Sequence, residues 1–361
     1  GIRVNEDTAA RIQSDLRAQR DSILEEIRGF LGWRSISMDD LLSPRSLERA
    51  FDQEGIQYPR TPKTGRGSFK SEWMSQAKEW LPKAVVWARQ HNDMAEKFVG
   101  TYILGSVDRG RIHAEVHQLR DDDGGTRSFR FSYSNPPLQQ IPARGDMGIL
   151  IRSIFEAERG QLWLSSDYSQ QEPRLAVHFA SLCRLRGSEK AVDYYANQPD
   201  PDFHTMVAEL TGVPRKRAKI INLGLMYGMG LKKLAESLGV SEEEAKEILT
   251  IYHARMPFVQ ALTEFCAQRA NVRGFIRLLD GARSHFDDWE GSHNRGVHYK
   301  APRALDAARA AWPGQSLRRA FTHKAMNRLI QGSAARQTKL AMRACWREGI
   351  VPLIQLHDEL G

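Results

Sequence analysis

Three patterns in the sequence predict an α+β fold: helical periodicity over most of the chain, a short strand ending in an acid at residues 161–168, and a second such strand at residues 349–361. At 361 residues the chain is too long for one compact core and calls for two or three subdomains. Its hydrophobic fraction of 41% is enough to fill them.

Residues 7–31 and 71–103 set apolar positions at helical spacing among charged ones, and the loop YPRTPKTGRG at 58–67 interrupts them with Pro, Gly and cations. A helical lobe with an exposed basic loop is expected. From 111 to 119 the pattern changes to alternation, and DDDGG at 121–125 is a turn signal, so a β-hairpin is expected there. The segment QLWLSSDY at 161–168 reads as a strand. Pro173 then opens a helical pattern, being favoured in a first turn where its missing N–H is not needed. Residues 187–320 are mostly helical, with a strand-like break at 274–279 and a loop containing Gly, Trp and His at 287–313. The last segment runs PLIQL into the polar turn HDELG. There is no internal repeat.

Lys and Arg total 52 against 44 Asp and Glu, giving a net charge of +8 and an isoelectric point near 9.4, which favours a polyanionic partner such as nucleic acid. The cations come in short clusters (Arg109 with Arg111, residues 215–217, Arg318 with Arg319), as on folded surfaces. Cys183, Cys266 and Cys345 are too widely spaced for a disulfide framework or a zinc motif, which fits a reducing compartment. No apolar run approaches the ~20 residues that span a bilayer, and no secretory signal pattern is present. A soluble, cytoplasmic protein without a membrane segment is expected.

Two features carry chemistry. In RKRAKIINLGLMYG, Arg215, Lys219, Leu223 and Tyr227 recur every four residues, so on an α-helix they form one stripe. From Lys219 to Tyr227 the stripe rises about 12 Å, the scale of a triphosphate at one end and a base at the other. An amphipathic helix with Leu and Tyr in the core has the same spacing. The second feature is Asp167 and Asp358, each at a strand end. A sheet can bring such acids together, and at about 4 Å two carboxylates repel by roughly 4 kcal/mol at an effective dielectric of 20. Hard, oxygen-ligated Mg²⁺ is the natural compensating cation, and two ions can stabilise the attacking and leaving oxygens of phosphoryl transfer. Either Asp alone fits a cap or turn.

Five blocks occur in the order found in one family: NPPLQQIPAR (135–144), DYSQQEPR (167–174), RKRAKIINLGLMYG (215–228), HKAMNRLIQGSAA (323–335) and LHDEL (356–360). Together they resemble the blocks of family A DNA polymerases, the group of bacterial DNA polymerase I, with QQEPR and HKAMNRLIQGSAA most like phage-encoded members. The resemblance implies a right-hand fold: a helical thumb over 1–108, an antiparallel-sheet palm over 109–180 and 323–361, and helical fingers over 181–322 with the nucleotide-binding helix at about 214–229. It further implies that the palm stops short after the HDEL turn, leaving a hairpin with unpaired backbone at a sheet edge.

The implied activity is template-directed addition of deoxynucleotides to a primer 3′-end with two Mg²⁺ ions, in phage or bacterial replication or repair, by a monomer whose partners are primer-template DNA and deoxynucleoside triphosphates. Residue by residue, the resemblance makes Asp167 and Asp358 metal ligands with Glu359 beside them. His204, Arg215 and Lys219 grip the triphosphate, and Lys219 protonates the departing pyrophosphate. Glu172 crowds the 2′ position of the sugar, and Tyr227 lies near the nascent base pair. Arg130, Asn327, Gln331 and His357 contact primer and template. Leu223 stands where well-known members carry Phe or Tyr, which implies poor use of dideoxynucleotides. Asp52-Gln53-Glu54 superficially matches a proofreading exonuclease motif, but too few residues precede the palm for a nuclease domain. No proofreading is expected. Two other readings are an inactive fragment that only binds primer-template DNA, and a single-subunit RNA polymerase, which is not expected to carry Glu172 in this setting.

Overall fold

In the computed structural model, which describes residues 1–62, 64–120, 124–226, 229–294 and 299–361 (Leu210 in its backbone alone), the chain divides into two units. The first comprises Gly1–Val116 and Ser132–Leu164, the second His117–Phe131 and Ser165–Gly361. Among the described residues no helix is long and apolar enough to cross a membrane.

The first unit begins with β1 (Ile2–Arg3) and the long α1 (Glu6–Leu31). Asn5 caps α1 by accepting from Thr8 N at 2.9 Å, Glu6 and Asp7 suit the positive end of its dipole, and Gly32 ends it at φ +64°. α2 (Met38–Leu42), α3 (Pro44–Gln53), α4 (Ser71–Gln76) and α5 (Trp80–Asn92) follow, the last continuing as π-helical turns over Asp93–Ile103. Their apolar faces meet around Phe51, which is fully buried and packs edge-on against Phe69. Asp52 accepts a hydrogen bond from Tyr58 and Gln53 donates one to Leu31 O, so the Asp-Gln-Glu triplet anchors the end of α3. Here β3 (Arg111–Ile112) lies between β1 and β2 (Val107–Asp108), and β4 (Glu115–His117) pairs with β5 (Ser132–Ser134). The strands flanking the expected hairpin thus exist, with residues 121–123 outside the described set. α6 (Gly145–Arg152) completes the unit.

The second unit holds a small antiparallel sheet in the order β11 (Gln355–Leu356), β12 (Glu359–Leu360), β6 (Ser166–Asp167). Beside it run α7 (Gln171–Leu182), α8 (Ser188–Asn197), α9 (Phe203–Thr211), α10 (Arg215–Met226), α11 (Leu231–Leu238), α12 (Glu242–Arg255) and α13 (Pro257–Arg273). Two hairpin-like pairs follow: β7 (Phe275–Arg277) with β8 (Arg283–His285), and β9 (Trp289–Gly291) with β10 (Leu317–Arg319) around α14 (Leu305–Ala311). α15 (Ala325–Arg347) packs on the first pair where it is smallest: Gly332, Ser333, Ala334 and Ala335 are buried, and a Cβ on Gly332 would sit 3.0 Å from Leu278.

Two expectations are corrected. The strand expected at 161–168 is paired only over Ser166–Asp167, opposite Leu360 and Glu359 of β12. Nor is β12 an unpaired edge. It is the central strand, and the Gly361 backbone exchanges hydrogen bonds with Ile354 at 3.0 and 3.2 Å.

Candidate active site

The β6–β12 register puts Asp167 directly opposite Glu359, and directly opposed residues on antiparallel strands project to the same face. Asp358 occupies the two-residue turn before β12, made possible by His357 in the left-handed region at φ +63°. Its carbonyl accepts from Tyr168 N at 3.4 Å, and its carboxyl comes within hydrogen-bonding reach of Asp167. Partial desolvation, followed by the negative charges of Asp358 and Glu359, raises the Asp167 pKa above the usual carboxylate value; the Tyr168 backbone N–H opposes this. Glu359 also accepts from Ser165 Oγ.

Two carboxylates this close, one already biased toward its proton, suit a hard divalent cation, whose charge would relieve the repulsion. Among the described residues no group of three or more His, Cys, Asp or Glu could by itself hold a metal ion.

Each residue of Gln170-Gln171-Glu172 has a separate task after this strand. Gln170, in the left-handed region at φ 52°, binds the segment entering α9. Gln171 is buried and donates to Ala334 O and the side chains of Gln337 and Thr338 on α15. Glu172, in the first turn of α7, forms an ion pair with Arg130, and the two side chains are only 13% and 27% exposed.

On α10 the buried positions are Ala218, Ile221, Asn222, Gly224 and Met226. Arg215 is exposed while Lys219 and Leu223 are half-buried, so the stripe read from the sequence stays off the core face. Arg215 is held by Asp202 through Nε at 2.6 Å and Nη2 at 2.5 Å. Asp202 also caps α9, accepting from His204 N at 2.9 Å, and these bonds outweigh burial and hold its carboxyl below the ordinary value. His204 is 8% exposed and sits between α9 and α10, with Asn222 Nδ2 3.0 Å from its Nδ1. Burial lowers its pKa, and Lys219 and Arg215 lower it further against the pull of Asp202. Asn327 and Gln331 lie one turn apart on α15, both half-buried, and among the described residues the buried Oδ1 of Asn327 meets no hydrogen-bond donor. His357 is exposed at the hairpin turn. Tyr227 lies outside the described residues.

The structure therefore brings Asp167, Asp358 and Glu359 together, and groups His204, Arg215 and Lys219 along α9 and α10. Sequence reading missed Gln170, Gln171, Asp202 and Asn222. Gln170, Gln171 and Asp202 are polar side chains where a strand or loop enters a helix and Asn222 is a polar residue inside α10; none belongs to a charge pattern or an apolar period that would assign it a role.

Residues 6–361 match the model of DNA polymerase family A. A DNA-directed DNA polymerase of Pseudomonas phage M6 is 31% identical over all of this chain, which spans 57% of that protein. The thermostable DNA polymerase I of Thermus aquaticus is 32% identical over 89% of this chain, spanning 37% of that protein. Among solved structures, the POL domain of Pol1 from M. smegmatis, in complex with DNA primer-template and dNTP, superposes with a TM-score of 0.76 at 26% identity, covering all of this chain and 60% of that one. With this fold, and with the family model matched over nearly its whole length, the chain belongs to DNA polymerase family A.

Proposed function

We propose that the chain catalyses template-directed DNA synthesis. The primer 3′-hydroxyl attacks the α-phosphate of a deoxynucleoside triphosphate; the O3′–P bond forms, the bond to the bridging oxygen breaks, and pyrophosphate leaves. The observation that carries this reading is the pairing of β6 with β12, which sets Asp167 opposite Glu359 with the Asp358 carboxyl in reach, from distant parts of the chain.

Asp167 and Asp358 would hold two Mg²⁺ ions, which when bound favour the alkoxide form of the hydroxyl and neutralise charge at the transferring phosphate. Arg215 exchanges Asp202 for triphosphate oxygens, a bidentate geometry natural to guanidinium. His204 acts as a neutral donor: with Asn222 donating to Nδ1, its hydrogen is on Nε2. Lys219 gives its proton to the leaving pyrophosphate. Glu172, fixed by Arg130, blocks the space of a 2′-hydroxyl. Arg130, Asn327, Gln331 and His357 contact primer and template, and the Asn327 acceptor, which meets no donor among the described residues, suits an amino donor at a base edge. Tyr227 abuts the nascent pair. In this assignment residues 1–108 serve as thumb, 109–180 and 323–361 as palm and 181–322 as fingers, in a cytoplasmic monomer.

Mg²⁺-dependent extension of a labelled primer tests the reading directly. Extension by this chain that disappears in Asp167→Ala, with duplex binding retained, is the expected result. Binding without extension in the unsubstituted chain would leave only the DNA-binding alternative.

A further inference from the structure

Gln170 lies three residues beyond Asp167 and takes a backbone conformation, φ 52° and ψ 43°, that non-glycine residues seldom adopt. That conformation aims its amide at the segment entering α9. Oε1 accepts from Phe203 N at 2.7 Å and from the Tyr195 hydroxyl at 3.3 Å, while Nε2 donates to Pro201 O at 2.5 Å. Pro201 and Phe203 flank Asp202, so both peptide neighbours of the residue that holds Arg215 are bound to one side chain. Tyr194 braces the same residue, its hydroxyl donating to Asp202 O and accepting from Asp202 N, each at 3.2 Å. The ring of Tyr195 lies parallel to Phe203 and beneath the Arg174 guanidinium, which keeps its hydroxyl directed at Gln170.

We propose that Gln170 is a positioning residue that sets the triphosphate-binding end of the site, Asp202 with Arg215, relative to the Asp167 carboxylate; this rests on the polymerase reading above. The hydrophobic contacts of α9 through Phe203, Met206 and Val207 would hold the helix in the second unit's core without Gln170. What its amide adds is a fixed register for the first residues of α9. A loosened register would leave the Asp202–Arg215 pair less often in the arrangement that receives a triphosphate, which weakens nucleotide binding. Only a glutamine-length amide spans the turn while its backbone stays left-handed. Asparagine accepts that backbone conformation more readily but is one methylene short, so Gln170→Asn separates reach from strain.

The test is steady-state primer extension by the full chain and by Gln170→Asn and Gln170→Ala, together with amide hydrogen exchange over residues 201–206 in the nucleotide-free protein. Both variants should raise the nucleotide KM about tenfold or more with kcat and the primer-template Kd changed by less than about threefold, the pattern of weakened nucleotide binding felt equally in the ground and transition states. Exchange at Phe203 N should speed up in both. A nucleotide KM within about twofold of the original chain, or unaltered exchange at 201–206, would overturn the proposal; so would a parallel loss of kcat, DNA affinity and melting temperature, which marks general destabilisation. If the unsubstituted chain does not extend primers, the polymerase reading fails by itself, and the exchange measurement still decides whether Gln170 fixes the entrance to α9.

Discussion

Glu172 has its carboxylate fixed by Arg130 and is largely screened from water, so it can act as a rigid obstacle rather than a mobile charge. If Glu172 crowds the 2′ position as proposed, replacing it with alanine should raise ribonucleotide over deoxyribonucleotide incorporation by on the order of tenfold or more in a direct competition assay. An unchanged ratio would remove Glu172 from the selectivity filter. Leu223 presents a half-buried aliphatic surface on α10 and has no hydroxyl to offer an analogue lacking its own 3′ oxygen. Leu223→Tyr should therefore improve dideoxynucleotide use, read as earlier chain termination on a sequencing ladder. The acids of this site were legible in the sequence because Asp167 and Asp358 stand at the ends of strand-like runs, where a sheet gathers side chains from distant segments. Gln170 and Gln171 were not, since they act through bonds to main-chain atoms such as Phe203 N and Ala334 O, and no periodicity or charge pattern reports such partners.

Between elements, the α9–α10 contact contains a titratable group whose behaviour can be checked. Burial holds the His204 pKa below its ordinary value, so folding favours the neutral ring. Its contribution to stability is complete above the unfolded pKa of about 6.5 and is lost as pH falls from there through the lower folded value. The melting temperature should drop across that acidic interval, and His204→Gln should flatten the dependence; equal slopes in both proteins would show that the ring titrates freely. Element boundaries were readable where local rules govern them. α1 was expected over 7–31 and spans Glu6–Leu31, because an Asn cap, an acidic first turn and a terminal glycine all act locally. The paired part of the strand expected over 161–168 is Ser166–Asp167, and it depends on a partner that lies far along the chain, which no local rule reports.

At the scale of the molecule, the excess of 52 Lys and Arg over 44 Asp and Glu should strengthen the proposed association with DNA. If six phosphates are neutralised, primer-template affinity should fall by about 10³-fold between 50 and 200 mM salt as counterions are released. A salt-independent Kd would contradict a phosphate-based grip. The pairing of β6 with β12 joins residues such as Ser165 and Glu359 that lie 194 positions apart in sequence. A ribosome adding roughly 5–20 residues per second therefore makes Asp167 wait about 10–40 s for its neighbours. During that interval the helices between them can already fold, so a nascent chain would acquire the means to hold a nucleotide before it acquires the means to join one to anything.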